Sequence, residues 1–205
     1  MSQTIDYYNE NATAYVADTL NVDFDKQRNF LLKYLKPGAK ILDLGCGSGR
    51  DSKKFIEKGF SVVAVDGSAE LCKLASQHIG QEVRNIRFDQ LDYNDEFDAV
   101  WACASLLHLT TDELKVVFPL IIKACKSQAF IYMSFKYGDF EGIRNWRFFN
   151  YMNEEKFQAI IQELPLKVIE TEITGDVRDG RTTEKWYNML AKKEIVVYGR
   201  GKFLY

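Results

Sequence analysis

Residues 41–50 read ILDLGCGSGR, with glycines at the alternate positions 45, 47 and 49 directly after an apolar run that ends Asp43–Leu44. Glycine lacks a Cβ and tolerates positive φ, so it is favoured where the backbone turns tightly or approaches something closely. It also weakens a strand or a helix, so three in five residues need a reason. The run KILDL before them suits a short buried strand, and DSKKFIEK after them (51–58) suits a short helix closed by Gly59. A strand, a glycine turn and a helix in that order place the turn at the carboxyl edge of a parallel sheet. That edge is where open α/β sheets bind ligands. Backbone N–H groups at the helix start would favour a negatively charged ligand group.

The rest of the chain agrees with such a sheet. FSVVAVD reads as a second buried strand, AELCKLASQHI (69–79) as a helix stopped by Gly80, and VRNIRF and FDAVWAC as two further strands. Residues 24–36 carry apolar positions at helical spacing and end at Pro37–Gly38. Residues 111–126 are helical, with Pro119 expected to kink or break them. QAFIYMSF is another strand. Alternating strands and helices predict an α/β domain with a mainly parallel sheet. Residues 137–152 are aromatic and basic without periodicity, and are expected to form a loop or lid over the carboxyl edge. NEEKFQAIIQEL follows as a helix capped by Asn153. LKVIETEIT and EKWYNMLAKK form an antiparallel pair joined by the turn GDVRDGRTT.

Composition narrows the function. The 205 residues fit one domain, and a net charge of −2 implies no general attraction to nucleic acid or anionic lipid. Cys46, Cys72, Cys103 and Cys125 show no C-x-x-C spacing, and only His78 and His108 could join them, so neither a metal site nor a disulfide framework is expected. Reduced thiols point to the cytosol. The amino-terminal residues lack the pattern of a signal peptide, and no apolar run approaches a membrane span.

Asp66 ends the second strand about 20 residues beyond the glycines, where a carboxylate accepts ribose hydroxyls. The glycine spacing is neither the G-x-G-x-x-G of dinucleotide sites nor a P-loop. Asp43-x-Gly45-x-Gly47-x-Gly49 with Asp66 resembles motif I of the class I S-adenosylmethionine-dependent methyltransferases. YYNENATAY at 7–15 resembles their N-terminal tyrosine motif, and FDAVWACASLLHL at 97–109 their fourth-strand segment. SFKYGDFE and KWYNMLAKK look like parts of a bacterial tellurite-resistance-like or small-molecule branch. The similarity runs nearly over residues 5–193.

The resemblance implies a Rossmann-like three-layer sandwich with a seven-stranded, mainly parallel sheet in the order 3-2-1-4-5-7-6, its last strand antiparallel. It divides one domain into N-terminal cap helices (1–37), a cofactor-binding core (38–136), a lid and C-terminal hairpin (137–193) and a tail (194–205). It implies S-adenosyl-L-methionine as cofactor, lined by Gly45, Cys46, Gly47 and Gly49. Asp43 would organise the loop, Asp66 would hold the ribose, and Tyr8 and Tyr15 would reach the methionine end. Gly67, Ser68, Phe88 and Cys103 complete the cofactor set. Two departures stand out. Arg87 occupies the position where relatives carry an acidic adenine contact, with Asp89 close by. Gly67 stands where relatives carry a larger apolar residue that packs on adenine.

Transfer of a methyl group from a sulfonium is an in-line displacement that needs orientation and exclusion of water rather than a covalent intermediate. A base matters only for an acceptor protonated at neutral pH. His108 and Lys136 are the candidate catalytic groups. Tyr137, Arg147, Arg178 and Trp186 are candidates for binding an anionic or planar small-molecule acceptor. The alternatives are an RNA or protein methyltransferase, which would want a basic stripe or an added domain, and a non-catalytic binder of the cofactor.

Overall fold

A computed structural model describes residues 2–178 and 183–195. In chain order the elements are α1 (Ser2–Glu10), α2 (Ala12–Thr19), α3 (Asp25–Leu32), β1 (Lys40–Leu44), α4 (Arg50–Glu57), β2 (Ser61–Asp66), α5 (Ala69–Ile79) and β3 (Val83–Asn85). Then come β4 (Phe97–Ala102), α6 (Thr111–Ala124), β5 (Cys125–Lys136), β6 (Glu141–Arg144), β7 (Arg147–Asn150), α7 (Glu154–Ile161), β8 (Leu166–Gly175) and β9 (Lys185–Lys193). Short 3₁₀ turns at Phe88–Gln90 and Leu106–His108 follow β3 and β4.

Seven strands form one sheet in the order β3-β2-β1-β4-β5-β9-β8, with β9 antiparallel to both of its neighbours. This is the expected Rossmann-like methyltransferase order. Alternation along the central strands splits the core into two layers. Leu42, Val100, Ile131 and Met133 face α6 and α7. Ile41, Ala99, Trp101 and Tyr132 face α3, α4 and α5. On that second face Trp101 and Tyr132 lie parallel with ring centroids 4.0 Å apart, both fully buried.

Local chemistry sets the helix ends. Ser68 Oγ accepts the Leu71 amide at the start of α5, and Gly80 closes it with a φ of 74°. Thr110 and Glu113 cap α6 reciprocally. Asn153 accepts the Lys156 amide at 2.8 Å. Pro119 does not break α6, which runs unbroken to Ala124. Pro119 lies on the exposed side of the helix, so the carbonyl it leaves without an amide partner faces water.

The largest correction concerns residues 137–152. They form a β-hairpin, β6 with β7, tied to the main sheet by a bridge between Tyr137 and Met152. Its two-residue turn, Asn145–Trp146, has positive φ at both positions, the geometry of a type I′ turn. The strands are only four residues long and the turn lacks the glycine that normally marks this geometry, so the hairpin has no clear sequence signature. The predicted strand VRNIRF shortens to β3 plus a 3₁₀ turn. Part of the GDVRDGRTT turn (179–182) and the tail beyond 195 lie outside the described residues.

Candidate active site

Two clefts meet at the carboxyl edge of the sheet. The first encloses about 630 Å³ of atom-free space, part of it open to solvent. Gly45, Gly47, Asp66, Gly67, Ser68 and Phe88 form its floor and one side. Thr4, Ile5 and Tyr8 of α1 close it from above. The second cleft lies beyond Tyr8, Tyr15, Ala104 and His108, which line both spaces. It continues under the hairpin, past Lys136, Arg147, Phe149, Arg178 and Trp186.

Asp66 organises the first cleft. Its two carboxylate oxygens each accept a backbone amide at 2.9 Å, from Gly47 and from Ser68. A carboxylate offers about four acceptor positions, so these bonds do not exhaust it. Burial raises its pKa against the pull of the surrounding amides. This carboxylate, beside bare main chain at Gly45 and Gly47, fits the sugar of a nucleoside-containing ligand. Ser68 also donates to Asn9 Oδ1 at 2.7 Å, which pins α1 over the rim.

The three motif glycines have three different neighbours. A Cβ on Gly45 would come within 2.5 Å of Ser105 Cβ, and one on Gly47 within 3.0 Å of the Tyr15 ring. A Cβ on Gly49 would meet Ile79 and Ala75 of α5 at 2.9 and 3.2 Å. Gly49 therefore lets α4 start against α5 and stands outside the cleft, contrary to its expected place among the cofactor contacts. Asp43 is also displaced from that set. It is buried beneath the loop, accepts Ser52 Oγ at 2.6 Å, and burial pushes its carboxyl up to about 7. The Cys46 side chain points into the second core layer, where burial raises its thiol pKa. Cys103 lines the second cleft rather than the first, and burial lifts it to about 12, so it stays a thiol.

Gly67 and Arg87 are the two departures from the pattern that the resemblance implies. The space a side chain at 67 would occupy is taken by Ile5 of α1, 3.2 Å from the ideal Cβ position. The apolar surface missing from position 67 is thus supplied from α1, with Leu71 also in the lining. Arg87 lines the cleft with its guanidinium paired to Asp89 at 2.6 Å. Thr4, Ile5, Leu71 and Ser105 were not singled out in the sequence, because only the fold brings them to the glycine loop.

His108 sits on the wall between the clefts. Its Nδ1 lies 2.7 Å from the Phe148 carbonyl, which can only accept, so Nδ1 carries the hydrogen. Nε2 then presents its lone pair to the Tyr8 hydroxyl at 2.9 Å. Burial pushes the His108 pKa down to about 4, although the Phe148 carbonyl opposes it. Tyr8 stands edge-on to both Tyr15 and His108. Burial raises the Tyr8 pKa as well.

Lys136 is ion-paired with Glu184 at 2.6 Å and lies over the rings of Phe149, Tyr151 and Trp186. It is a charged wall of the second cleft, not a free amine poised as a base. Asp176 takes both Arg178 Nη2 at 2.6 Å and Trp186 Nε1 at 3.0 Å. Burial would push Asp176 up, but Arg178 holds it at about 2. Tyr137 is not part of the cleft: its hydroxyl reaches Glu154 at 3.3 Å and its ring packs on Tyr187. Phe24 and Arg50 join the second cleft, with Arg50 held by the buried Asp51. Asp51 also takes Arg28 and Trp101 Nε1, so one carboxylate ties α3, α4 and β4 beneath the site.

Residues 41–128 match the protein family described as methyltransferase domain. Ubiquinone biosynthesis O-methyltransferase of Xanthomonas campestris pv. campestris (strain B100) is 34% identical over 98 residues, covering 44% of this chain and 38% of that protein. The chain spans about half or less of the length of the curated relatives it matches. Two solved structures share the fold. Burkholderia thailandensis 1,6-didemethyltoxoflavin-N1-methyltransferase, with bound 1,6-didemethyltoxoflavin and S-adenosylhomocysteine, has a TM-score of 0.73 at 20% identity, covering 95% of this chain and 87% of that one. Magnesium protoporphyrin IX methyltransferase of Synechocystis PCC 6803, with bound S-adenosylhomocysteine, has a TM-score of 0.74 at 17% identity, covering 92% and 97%.

Proposed function

We propose that this chain, whose residues 41–128 match a methyltransferase domain, is a class I S-adenosylmethionine-dependent methyltransferase that methylates a small molecule held in the second cleft. S-adenosylmethionine supplies an activated methyl group on a sulfonium that departs as a neutral thioether. Asp66 would hold its ribose diol, and the main chain at Gly45 and Gly47 would flank the sugar and methionine. Ser68, Phe88, Ile5 and Leu71 would border the base, while Tyr8 and Tyr15 would stand at the methionine end.

The observation that carries this reading is the shared wall. Tyr8, Tyr15, Ala104 and His108 face the glycine-loop cleft on one side and a separate cleft on the other. A donor in one and an acceptor in the other would meet there, under α1 and the hairpin, with bulk water excluded. His108 is neutral at physiological pH, so its Nε2 lone pair can take an acceptor proton directly or through the Tyr8 hydroxyl. Its low basicity suits an acceptor whose proton is already acidic rather than an alcohol. The relatives named for small aromatic and heterocyclic substrates support a small-molecule acceptor over a polymer. Four free cysteines support a reducing, cytosolic setting.

Calorimetry with S-adenosylhomocysteine tests the shared premise. Wild type is expected to bind it and Asp66→Ala to bind it far more weakly; no binding by wild type at millimolar ligand would reject the reading. Transfer of a labelled methyl group is then followed across a metabolite extract, tellurite and total tRNA. Label in a small organic product supports the proposal. Label confined to tRNA would reject it, and label on tellurium would favour the tellurite-resistance-like branch.

A further inference from the structure

We infer that the acceptor is a planar aromatic acid whose anionic group is matched by Arg147, a substrate class that rests on the methyl-transfer reading above. Four cations line the second cleft: Arg50, Lys136, Arg147 and Arg178. No aspartate or glutamate lines it among the described residues. Three of the four cations have a carboxylate of their own behind the wall. Arg50 has Asp51, Lys136 has Glu184 and Arg178 has Asp176, each pair at 2.6 Å.

Arg147 has none among the described residues. Its Nη1 donates to the Tyr8 hydroxyl at 3.4 Å, and its guanidinium lies over Tyr7 at 4.6 Å and Phe149 at 5.2 Å. Its Nε is enclosed and without a hydrogen-bond partner. Arg147 is half-buried, with its Nε shut off from water, so an opposite charge nearby would stabilise it. Within the cleft that charge has to come from the occupant.

The shape of the cleft adds the aromatic requirement. Arg147 and Phe149 are two residues apart on β7, so they project from the same side of the hairpin. Phe149 and Trp186 both flank Lys136, whose Nζ lies 5.4 and 5.9 Å from their ring centroids. Phe24 lies on the guanidinium of Arg50, 3.7 Å from ring centroid to Cζ. Flat apolar walls with one uncompensated cation suit a ring that carries an acidic group. A cationic acceptor would set a second uncompensated positive charge beside Arg147, close to the donor sulfonium. An anionic acceptor brings opposite charges together where little water screens them.

The test is calorimetry with benzoate, salicylate and naphthoate against the corresponding neutral amides, run with and without saturating S-adenosylhomocysteine. At least one acid is expected to bind about tenfold or more tightly than its amide, a difference of about 1.4 kcal/mol. Arg147→Met should abolish that preference and Arg147→Lys should retain part of it. Arg144→Met, an exposed cation of the same hairpin, should leave it intact. Equal binding of acids and amides, a preference that survives Arg147→Met, or no binding of any acid at millimolar concentration would overturn the inference. Failure of S-adenosylhomocysteine to bind would instead remove the methyl-transfer reading, so the two failures are distinct.

Discussion

Replacing Gly49 by alanine separates the structural from the ligand-binding role of the glycine motif. Gly49 and Gly80 have nearly the same backbone, with φ of 76° and 74°. Around Gly80 nothing lies within 4 Å of an added Cβ, whereas at Gly49 Ile79 Cγ2 lies at 2.9 Å and Ala75 Cβ at 3.2 Å. Gly80→Ala should therefore cost only the left-handed backbone penalty, about 1–2 kcal/mol. Gly49→Ala should add the cost of overpacking α4 against α5, a further 1–3 kcal/mol or so. The lower entropy of the unfolded alanine chain applies to both variants and cancels in the comparison. Urea unfolding without ligand measures the difference directly. Because Gly49 stands outside the cleft, folded Gly49→Ala should keep near-normal affinity for S-adenosylhomocysteine. Gly47→Ala, which must displace the Tyr15 ring, should lose about tenfold or more. Equal destabilisation of Gly49→Ala and Gly80→Ala, or loss of ligand affinity in Gly49→Ala matching that of Gly47→Ala, would refute the separation.

Two further outcomes follow from the buried charges. Asp51→Asn leaves Arg28 and Arg50 without their shared carboxylate and should destabilise the fold by about 3–5 kcal/mol in urea unfolding. His108 has its pKa lowered from 6.5 to about 4 by burial, so between those values the unfolded chain binds the extra proton. The stability His108 contributes is complete above pH 6.5 and is lost as pH falls towards 4. His108→Gln should flatten that part of the profile, measured by urea midpoints at successive pH values; an unchanged slope would show that His108 is not the group responsible.

The architecture was largely legible because its signals are local. KILDL and FSVVAVD are short apolar runs bounded by turns, and the helix at 69–79 carries both its serine cap and its glycine stop. Such patterns depend on neighbours a few residues away. The candidate cofactor cleft was legible for the same reason: Gly45, Gly47 and Asp66 sit at the ends of adjacent strands, and parallel pairing of β1 with β2 brings them together. Local signals do not decide whether Pro119 breaks α6 or where the hairpin forms, because solvent tolerates a missing amide and a short strand pair needs no glycine turn.

What the sequence alone determined was the order of strands and helices and the glycine turn with its acidic partner at 66. Tertiary structure alone decided why each glycine is needed, because Ser105, Tyr15 and Ile79 approach from distant segments. It also decided which candidates share a cleft. Tyr137 and Lys136 are adjacent in the chain, yet one turns outward to Glu154 and the other inward to the second cleft. The sequence records charge and side-chain type; pairing in space determines that Lys136 and Arg178 are neutralised while Arg147 has no carboxylate partner among the described residues.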